Sequence, residues 1–277
     1  MLKVKLLNKI LKIAKKYGCS RIFPVANILE NAYEDLISFS EKDPSSKKNP
    51  EYILESYNSY LSVLYYRIAN SIINNNLILA RKITEDSKVI TGIEIHPCAK
   101  IGRRFVIDHG VGTVIGETSI IGDDCYILQS VILGADKIAN NKLGNRHPII
   151  GNNVEIGGFS TLIGSIKIGD NTKIAPHSII RNEIPKNSKV LSLGMIQLIK
   201  NETLKNINFN GYIKNDNHIV LYFDELKQRF INIYVNDNLI KDDLVITENE
   251  IIVKAYKNQI NKYKINFTNN EEFLLII

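Results

Sequence analysis

The sequence lacks several features that would indicate a secreted or metal-dependent protein. It has no tryptophan and only three cysteines in 277 residues, Cys19, Cys98 and Cys125. An odd number of cysteines without a CxxC pair argues against a disulfide framework and against a zinc site. We therefore expect reduced thiols, a cytoplasmic protein and no metal.

Long apolar runs and a strong charge excess are also missing. No segment approaches the roughly 18 uninterrupted apolar residues of a membrane span, and lysines interrupt the apolar N-terminus. That segment indicates a basic amphipathic helix that packs on the protein, with binding to a membrane surface as the alternative. The net charge of +6 comes from 35 Lys+Arg against 29 Asp+Glu spread along the chain. Nucleic acid is therefore not an expected partner, and neither is a membrane.

The first 90 residues show the helix period. Apolar residues recur at three and four positions around 28–37 and 61–72, with a polar loop at 40–50 between the two runs. Two prolines in this loop are expected to end one helix and begin the next.

From residue 93 the period becomes six. Aliphatic or small residues recur at every sixth position, with one interruption, and many lie beside glycine, which tight turns require. The positions are Ile95, Ile101, Ile107, Thr113, Ser119, Cys125, Val131, Ile150, Ile156, Leu162, Ile168, Ile174 and Ile180. The pattern predicts a hexapeptide β-helix, a triangular coil with stacked aliphatic side chains inside. An ordinary β-sandwich would instead show period-two alternation.

The stride is interrupted at 135–149 and stops after Pro185. An insertion at a coil corner projects outward, and such excursions commonly build binding sites.

Beyond residue 206, alternating runs at 219–223, 231–235 and 251–256 predict a small antiparallel module. The predicted domains are a helical region at 1–90, a β-helix at 91–190, a linker at 191–205 and a β-rich module at 206–277.

Two histidines lie in polar clusters that suit proton chemistry. His109 follows Asp108 within the repeats, and His147 follows Arg146 in the projecting loop. A histidine held by a carboxylate can take a proton from an alcohol, and Glu94 is the candidate carboxylate for His109. The alternatives are a structural, hydrogen-bonded histidine and a solvated Arg–His pair.

One stretch of the sequence closely resembles a known family. Residues 91–118 are TGIEIHPCAKIGRRFVIDHGVGTVIGET, followed by ILQSVILG at 127–134 and NRHP at 145–148. These motifs resemble those of the serine O-acetyltransferases, continuously over about 91–190 and more weakly over about 30–90. The IDHG…VIGET element joined to RHP is specific for that family, whereas hexapeptide repeats are shared by many acyltransferases.

The resemblance implies a mixed α and β fold and a defined enzymatic activity. It implies an N-terminal helical region, a left-handed parallel β-helix of hexapeptide repeats and, here, a small C-terminal β-rich appendage. The implied activity is acetyl transfer from acetyl-CoA to the hydroxyl of L-serine, in cysteine biosynthesis, by trimers that commonly pair into hexamers. The transfer would be direct, with backbone amides steadying the oxyanion.

The family's functional residues correspond to specific positions in this chain. The implied catalytic base is His109, with Glu94 as its carboxylate partner. The implied serine-binding residues are Asp43, Asp108, Arg146 and His147, and the implied CoA-binding residues are Gly134, Ala135, Gly157, Gly158 and Lys173. Arg146 suits the carboxylate of serine, and the two aspartates suit its ammonium.

The chain departs from the family pattern in three places. The loop at 135–145 is longer, the family's Gly-x-Pro-Ala-Arg-like segment is replaced at 193–199, and a whole module precedes the end at 274–277. In the family a terminal isoleucine commonly docks into cysteine synthase, but here a final strand of the appendage is the favoured interpretation. A related amino alcohol or hydroxy acid as acceptor, or a non-catalytic scaffold binding a partner through 206–277, remain as alternatives.

Overall fold

The computed structural model describes most of the chain and divides it into two compact units. The described residues are 1–19, 24–141, 143–190, 209–214, 218–223, 226, 230–254, 262–268 and 272–276. The units are Met1–Asn187 and Ser188–Ile277. The predicted linker at 191–205 and the altered segment at 193–199 lie outside the described residues, and the predicted domain boundaries stay predictions.

The first unit begins with α-helices, as the helix period predicts. They are α1 (Leu2–Lys16), α2 (Val25–Lys42), α3 (Pro50–Ser56), α4 (Asn58–Ser71) and α5 (Leu77–Thr91), with a 3-10 helix at Pro44–Ser46. Each packs an apolar stripe inward, and α4 is buried along most of its length. Among the described helices, none combines the length and the apolar character needed to cross a membrane.

The polar loop at 40–50 forms the helix boundaries that its prolines predict. α2 ends at Lys42, and Asp43 then caps the 3-10 helix by accepting a hydrogen bond from the backbone N–H of Ser45. Asn49 caps α3, whose first residue is Pro50. The capping role fixes the Asp43 carboxylate in place.

Short parallel strands follow α5 and fall into three sheets in strict rotation. In chain order they are β1 (Glu94–Ile95), β2 (Lys100–Ile101), β3 (Val106–Ile107), β4 (Val114–Ile115), β5 (Ile120–Ile121), β6 (Tyr126–Ile127), β7 (Ile132–Gly134), β8 (Ile149–Ile150), β9 (Glu155–Ile156), β10 (Thr161–Ile163), β11 (Lys167–Ile168), β12 (Lys173–Ile174) and β13 (Ile179–Ile180). The first sheet is β1-β4-β7-β10-β13, the second is β2-β5-β8-β11, and the third runs β3-β6-β9-β12. Successive strands therefore wind around a three-sided coil.

After the interruption the strands pair at the positions that the six-residue spacing predicts. Before it, the paired positions beyond Ile107 lie two residues later than predicted. Ile156 pairs with Ile174, as the stride requires. In the first two turns, however, Ile95 pairs with Ile115 rather than Thr113, because the corner at 108–112 is two residues longer than a six-residue unit. Thr113 is still buried, at 1% exposure, two residues before the aliphatic ladder position. The two extra residues lie in the corner that carries His109.

A buried ion pair joins the helices to the coil. Arg67 of α4 donates to both carboxylate oxygens of Asp35 in α2, at 2.8 and 3.0 Å. The same guanidinium donates to the carbonyl of Ile101 at 2.7 Å, and Asp35 accepts from the backbone N–H of Phe105 at 2.9 Å. The pair therefore satisfies backbone groups of the first turn as well as its own charges.

The second unit consists of antiparallel strands around its own core. They are β14 (Lys189–Val190), β15 (Phe209–Lys214), β16 (His218–Phe223), β17 (Phe230–Val235), β18 (Asn238–Leu239), β19 (Leu244–Ile246), β20 (Glu250–Lys254), β21 (Lys262–Phe267) and β22 (Glu272–Ile276). One set of pairings runs β14-β15-β16-β20-β19 and another β18-β17-β21-β22. Buried residues of both sets, such as Leu221 and Ile265, share one apolar cluster.

Candidate active site

The long corner after β3 presents His109 to solvent. His109 has a φ of 59°, and its side chain is 73% exposed. The carboxylate of Asp108 accepts the backbone N–H of His109 at 2.8 Å, which supports this left-handed conformation. Gly110 follows with a φ of 81°, and a Cβ there would lie 2.4 Å from the side chain of Ile93. The corner thus depends on a glycine packed against the first turn.

Two carboxylates and two tyrosines gather around this corner and form what we call the acidic cluster, Asp43, Tyr57, Asp108, His109 and Tyr126. Tyr57 donates its hydroxyl to Asp43 at 2.7 Å, and Tyr126 donates to Asp108 at 2.7 Å. The Nε2 of His109 lies 3.8 Å from an oxygen of Asp108. Each carboxylate is therefore oriented by a phenol, with the imidazole beside them.

Hydrogen bonding keeps the Asp43 carboxylate charged. Burial alone would raise its pKa, but hydrogen bonds from Ser45 and Tyr57 outweigh burial and lower the pKa of Asp43. Burial and the bond to Asp108 raise the pKa of Tyr126. The cluster is accordingly acidic and can accept hydrogen bonds from a cationic group.

The projecting loop leaves the coil after β7 and returns over the corner that follows β4. The hydroxyl oxygen of Thr118 on that corner accepts the backbone N–H groups of Arg146 and His147, at 3.0 and 3.1 Å. The ring of His147 lies against Gly116, where a Cβ would come within 2.1 Å of it. The predicted insertion therefore brings Arg146 and His147 onto the coil surface.

These residues belong to a second group, the Arg146 cluster, consisting of Arg81, Lys88, Glu94, His96, Cys98, Glu117, Arg146 and His147. Arg146 forms an ion pair with Glu117, and Glu94 forms ion pairs with Lys88 and Arg81. The bond from Arg146 lowers the pKa of Glu117. Burial would raise the pKa of Glu94, but the bonds and charges of its two cationic partners lower it.

The two histidines of the Arg146 cluster are held in the neutral form. Burial, followed by a neighbouring arginine, lowers the pKa of both His96 and His147. The Nδ1 of His147 contacts the hydroxyl of Thr118 at 2.8 Å and accepts the backbone N–H of Thr118 at 3.2 Å. That arrangement leaves the ring N–H on Nε2.

The predicted acceptor and catalytic residues divide between the two clusters. The acidic cluster contains His109 and the two predicted aspartates, Asp43 and Asp108. The Arg146 cluster contains Glu94 together with Arg146 and His147. The side chain of Glu94 bonds to Arg81 and Lys88 of α5, and the carboxylate that lies within 4 Å of the His109 ring in the same chain is Asp108. The predicted catalytic pairing stays a prediction.

The predicted CoA-binding residues also lie in different parts of the coil. Gly134 and Ala135 lie at the end of β7, where the projecting loop begins. Gly157 and Gly158 follow β9, and a Cβ on Gly157 would lie 2.4 Å from the backbone nitrogen of Pro176. Lys173 in β12 is paired with Glu155 at 2.8 Å. A phosphate would therefore have to compete with Glu155 for Lys173.

The sequence analysis missed four residues that orient the site. Tyr57 and Tyr126 hold the carboxylates of the acidic cluster, while Glu117 and Thr118 hold Arg146 and His147. Glu117 and Thr118 are part of the quoted VIGET motif, so the motif could have indicated that they belong to the site. The tyrosines carry no comparable local signal.

A three-sided coil with polar groups at its corners defines the class of hexapeptide-repeat transferases. Residues 147–182 match the family described as bacterial transferase hexapeptide (six repeats). The same class is indicated by likeness to solved structures. A Neisseria gonorrhoeae serine acetyltransferase in complex with serine superimposes with a TM-score of 0.58 and 28% identity, over 66% of this chain and 72% of that one. A serine acetyltransferase in complex with CoA gives a TM-score of 0.57 and 28% identity, over 66% and 72%.

The curated relatives specify the family. A serine acetyltransferase of Staphylococcus aureus is 38% identical over 167 residues, which are 60% of this chain and 76% of that protein. A serine acetyltransferase of Synechococcus elongatus is 36% identical over 154 residues, which are 55% of this chain and 62% of that protein. The chain belongs to the serine acetyltransferase family, a family of transferase enzymes. The resemblance inferred from the sequence is confirmed.

Proposed function

We propose that this protein transfers the acetyl group of acetyl-CoA to the hydroxyl of L-serine. The observation that supports this most directly is the chemical complementarity of the two clusters. The acidic cluster offers charged carboxylates to an ammonium, and the Arg146 cluster offers a guanidinium to a carboxylate. An amino acid carries both an ammonium and a carboxylate, so binding it at both ends needs both clusters.

In the proposed mechanism His109 acts as the general base. With both ends of serine held, the acceptor hydroxyl is directed at the exposed imidazole of His109. The imidazole takes the hydroxyl proton while the serine oxygen attacks the thioester carbonyl and the CoA thiolate leaves. The proposed role of Glu94 is to orient and stabilise the imidazolium that forms.

We further propose that the active site forms between copies of the chain, in a trimer of left-handed coils. The acidic cluster lies at the corner that follows the third sheet, and the Arg146 cluster lies at the corner that follows the first sheet. One face of the prism separates these corners within a chain, whereas a neighbouring copy can bring one corner against the other. In a cyclic trimer this contact between two different corners is heterologous, and it is repeated identically around the axis.

Acetyl-CoA binding is supported by a relative crystallised with CoA. The proposed contacts of CoA are backbone groups near Gly134 and Gly157, together with Lys173 as a point charge for a phosphate. These positions flank the two corners that carry the acceptor residues. The three free thiols fit a reducing, cytoplasmic location.

The test is a thiol-release assay with acetyl-CoA and a panel of acceptors that includes L-serine, homoserine and simple hydroxy acids. We expect turnover with L-serine, and a loss in kcat of about 10²–10⁴-fold in His109→Ala. The rate of the wild-type protein should fall toward acid pH, because an imidazolium cannot accept a proton.

A matched control is His218→Ala, which removes an exposed histidine of the second unit. This variant should keep wild-type turnover. Turnover that His109→Ala leaves unchanged, a rate independent of pH between acid and neutral, or no turnover with any acceptor would each contradict the proposal.

A further inference from the structure

Three chemically different metal-binding side chains meet at one corner of the coil. Ligand atoms of His96, Cys98 and Glu117 all lie within 4.8 Å of one another, and the three residues are half-buried. None of them is among the residues proposed to bind serine or CoA. The expectation of no metal rested on the cysteine count, although the His-Pro-Cys spacing at 96–98 was visible in the sequence.

The fold brings these three residues together for a simple reason. His96 and Cys98 follow β1 on one corner, and the pairing of Ile95 with Ile115 stacks the corner containing Glu117 directly on it. The backbone N–H of Cys98 donates to the Nδ1 of His96 at 3.1 Å. The Nδ1 of His96 therefore directs a lone pair at the backbone of Cys98, and a metal bound at Nδ1 would replace this one hydrogen bond.

The donor set selects the class of ion. A thiolate and an imidazole do not suit Mg²⁺ or Ca²⁺, which prefer oxygen ligands. Nitrogen, sulfur and one carboxylate oxygen are typical of Zn²⁺, at about 2.0–2.3 Å from the metal. Three protein ligands would leave the fourth tetrahedral position open. The ligand atoms, which lie within 4.8 Å of one another, would have to move closer together to surround a tetrahedral ion at these bond lengths.

The surroundings of the corner both support and limit binding. Arg146 binds Oε2 of Glu117, so the carboxylate has a second oxygen to offer and a partner that orients it. Glu94 contributes another negative charge near His96, while Arg81 and Arg146 oppose a cation there. Because these arginines are close, affinity should be about micromolar, weaker than in closed four-ligand sites.

We propose that His96, Cys98 and Glu117 form a binding site for a divalent transition-metal ion of the zinc class. Its ligands come from two successive turns of one chain and are not themselves proposed serine or CoA contacts, although Glu117 is the ion-pair partner of Arg146. Occupancy does not depend on the acetyltransferase activity, so the two proposals fail independently.

The test uses the full chain, stripped of metal with a chelator and titrated with a zinc salt by calorimetry in the absence of acetyl-CoA and serine. We expect one ion per chain. Titration with Co²⁺ in place of zinc should produce a thiolate-to-cobalt charge-transfer absorption, which reports the sulfur ligand directly. Absence of both signals at millimolar metal would overturn the proposal.

The ligand assignment is tested with matched variants. Cys98→Ala should weaken zinc binding by on the order of 100-fold and abolish the cobalt–thiolate absorption. Glu117→Gln should weaken binding but keep the absorption. The control is Cys19→Ala, which removes a buried thiol elsewhere and should leave both signals unchanged. Unchanged zinc affinity in a folded Cys98→Ala protein, verified by its thermal transition, would refute the site.

Discussion

At the scale of single residues, the two tyrosines of the acidic cluster explain how the carboxylates of Asp43 and Asp108 each hold one orientation. Tyr57 and Tyr126 each donate to one oxygen of an aspartate and leave the second oxygen for other donors. For Asp43 the second oxygen accepts from Ser45. For Asp108 it accepts from the backbone of His109. The tyrosines therefore act on the proposed ammonium site through the carboxylates they hold.

We predict that Tyr126→Phe raises the KM for serine by about tenfold and changes kcat less. The substitution removes a hydrogen bond to a charged group, which contributes about 1.5–3 kcal/mol. The measurement is the serine dependence of thiol release at saturating acetyl-CoA. Tyr52→Phe serves as the control, since Tyr52 is 51% exposed. Equal KM values in the two variants would contradict a positioning role for Tyr126.

The sequence predicts the individual residues unevenly. Short sequence motifs indicate four of the site residues, because the chemistry of these residues depends on their neighbours in the chain. They are Asp108, His109, Arg146 and His147. Tyr126 is not indicated in this way, because its role depends on the third sheet stacking it above Asp108, a contact eighteen residues away in the chain. Glu94 illustrates the opposite limit, since neither its motif nor the repeat pattern reveals its cationic partners Lys88 and Arg81.

At the scale of secondary-structure elements, one buried ion pair connects α2, α4 and the first turn of the coil. Asp35 and Arg67 have almost no exposed side-chain area, at 0% and 7%. Removal of Asp35 would leave Arg67 as a buried charge and the backbone N–H of Phe105 without its acceptor. Removal of Arg67 would leave Asp35 as a buried charge and the carbonyl of Ile101 without its donor. As long as one of the two charged residues is present, the stability of the first unit therefore requires the other.

We predict that Asp35→Ala lowers the free energy of unfolding of the first unit by about 3–5 kcal/mol, because it leaves the buried Arg67 charged without its carboxylate partner. Thermal and urea denaturation would measure the loss. Glu30→Ala, which removes an exposed ion-pair partner of Lys3, should cost at most about 1 kcal/mol.

A compensating pair of substitutions separates charge from packing. Asp35→Leu combined with Arg67→Met should recover only part of the stability that Asp35→Ala loses, since neither charge then remains buried but the Phe105 N–H and the Ile101 carbonyl both lose their partners. If Asp35→Ala is no less stable than Glu30→Ala, the pair does not hold the helices to the coil.

The elements themselves were largely predictable, and the exception is informative. Six-residue spacing predicts the strands because each must place an aliphatic side chain inside. The six-residue spacing did not reveal the two extra residues between Ile107 and Ile115. Thr113 lies six residues after Ile107 and is also buried, so it fits the predicted series. The pairing of strands, rather than burial, distinguishes the two registers.

At the scale of the whole molecule, the separation of the two clusters predicts complementation between inactive variants. His109→Ala disables the acidic cluster, and Arg146→Ala disables the other cluster. If each site combines clusters from neighbouring copies of a trimer, randomly mixed trimers contain some sites with both clusters intact. With equal mixing about one site in four should be intact.

The experiment is to unfold and refold the two variants together and to measure thiol release with serine. Activity should recover to about a quarter of the wild-type value, while each variant refolded alone stays inactive. Wild-type protein taken through the same treatment controls for refolding yield. No recovery, with mixed trimers demonstrated by differently tagged chains, would place both clusters of a site in one copy.

Both irregularities of the coil occur at corners, and this has an evolutionary consequence. Two extra residues enter between β3 and β4, and a longer excursion enters between β7 and β8, yet the stacked aliphatic positions continue on either side. Descendants of such a chain can therefore gain or lose corner residues, and with them the side chains that the corners present, while inheriting the interior unchanged. Lineages should diverge in corner length long before they diverge in the ladder.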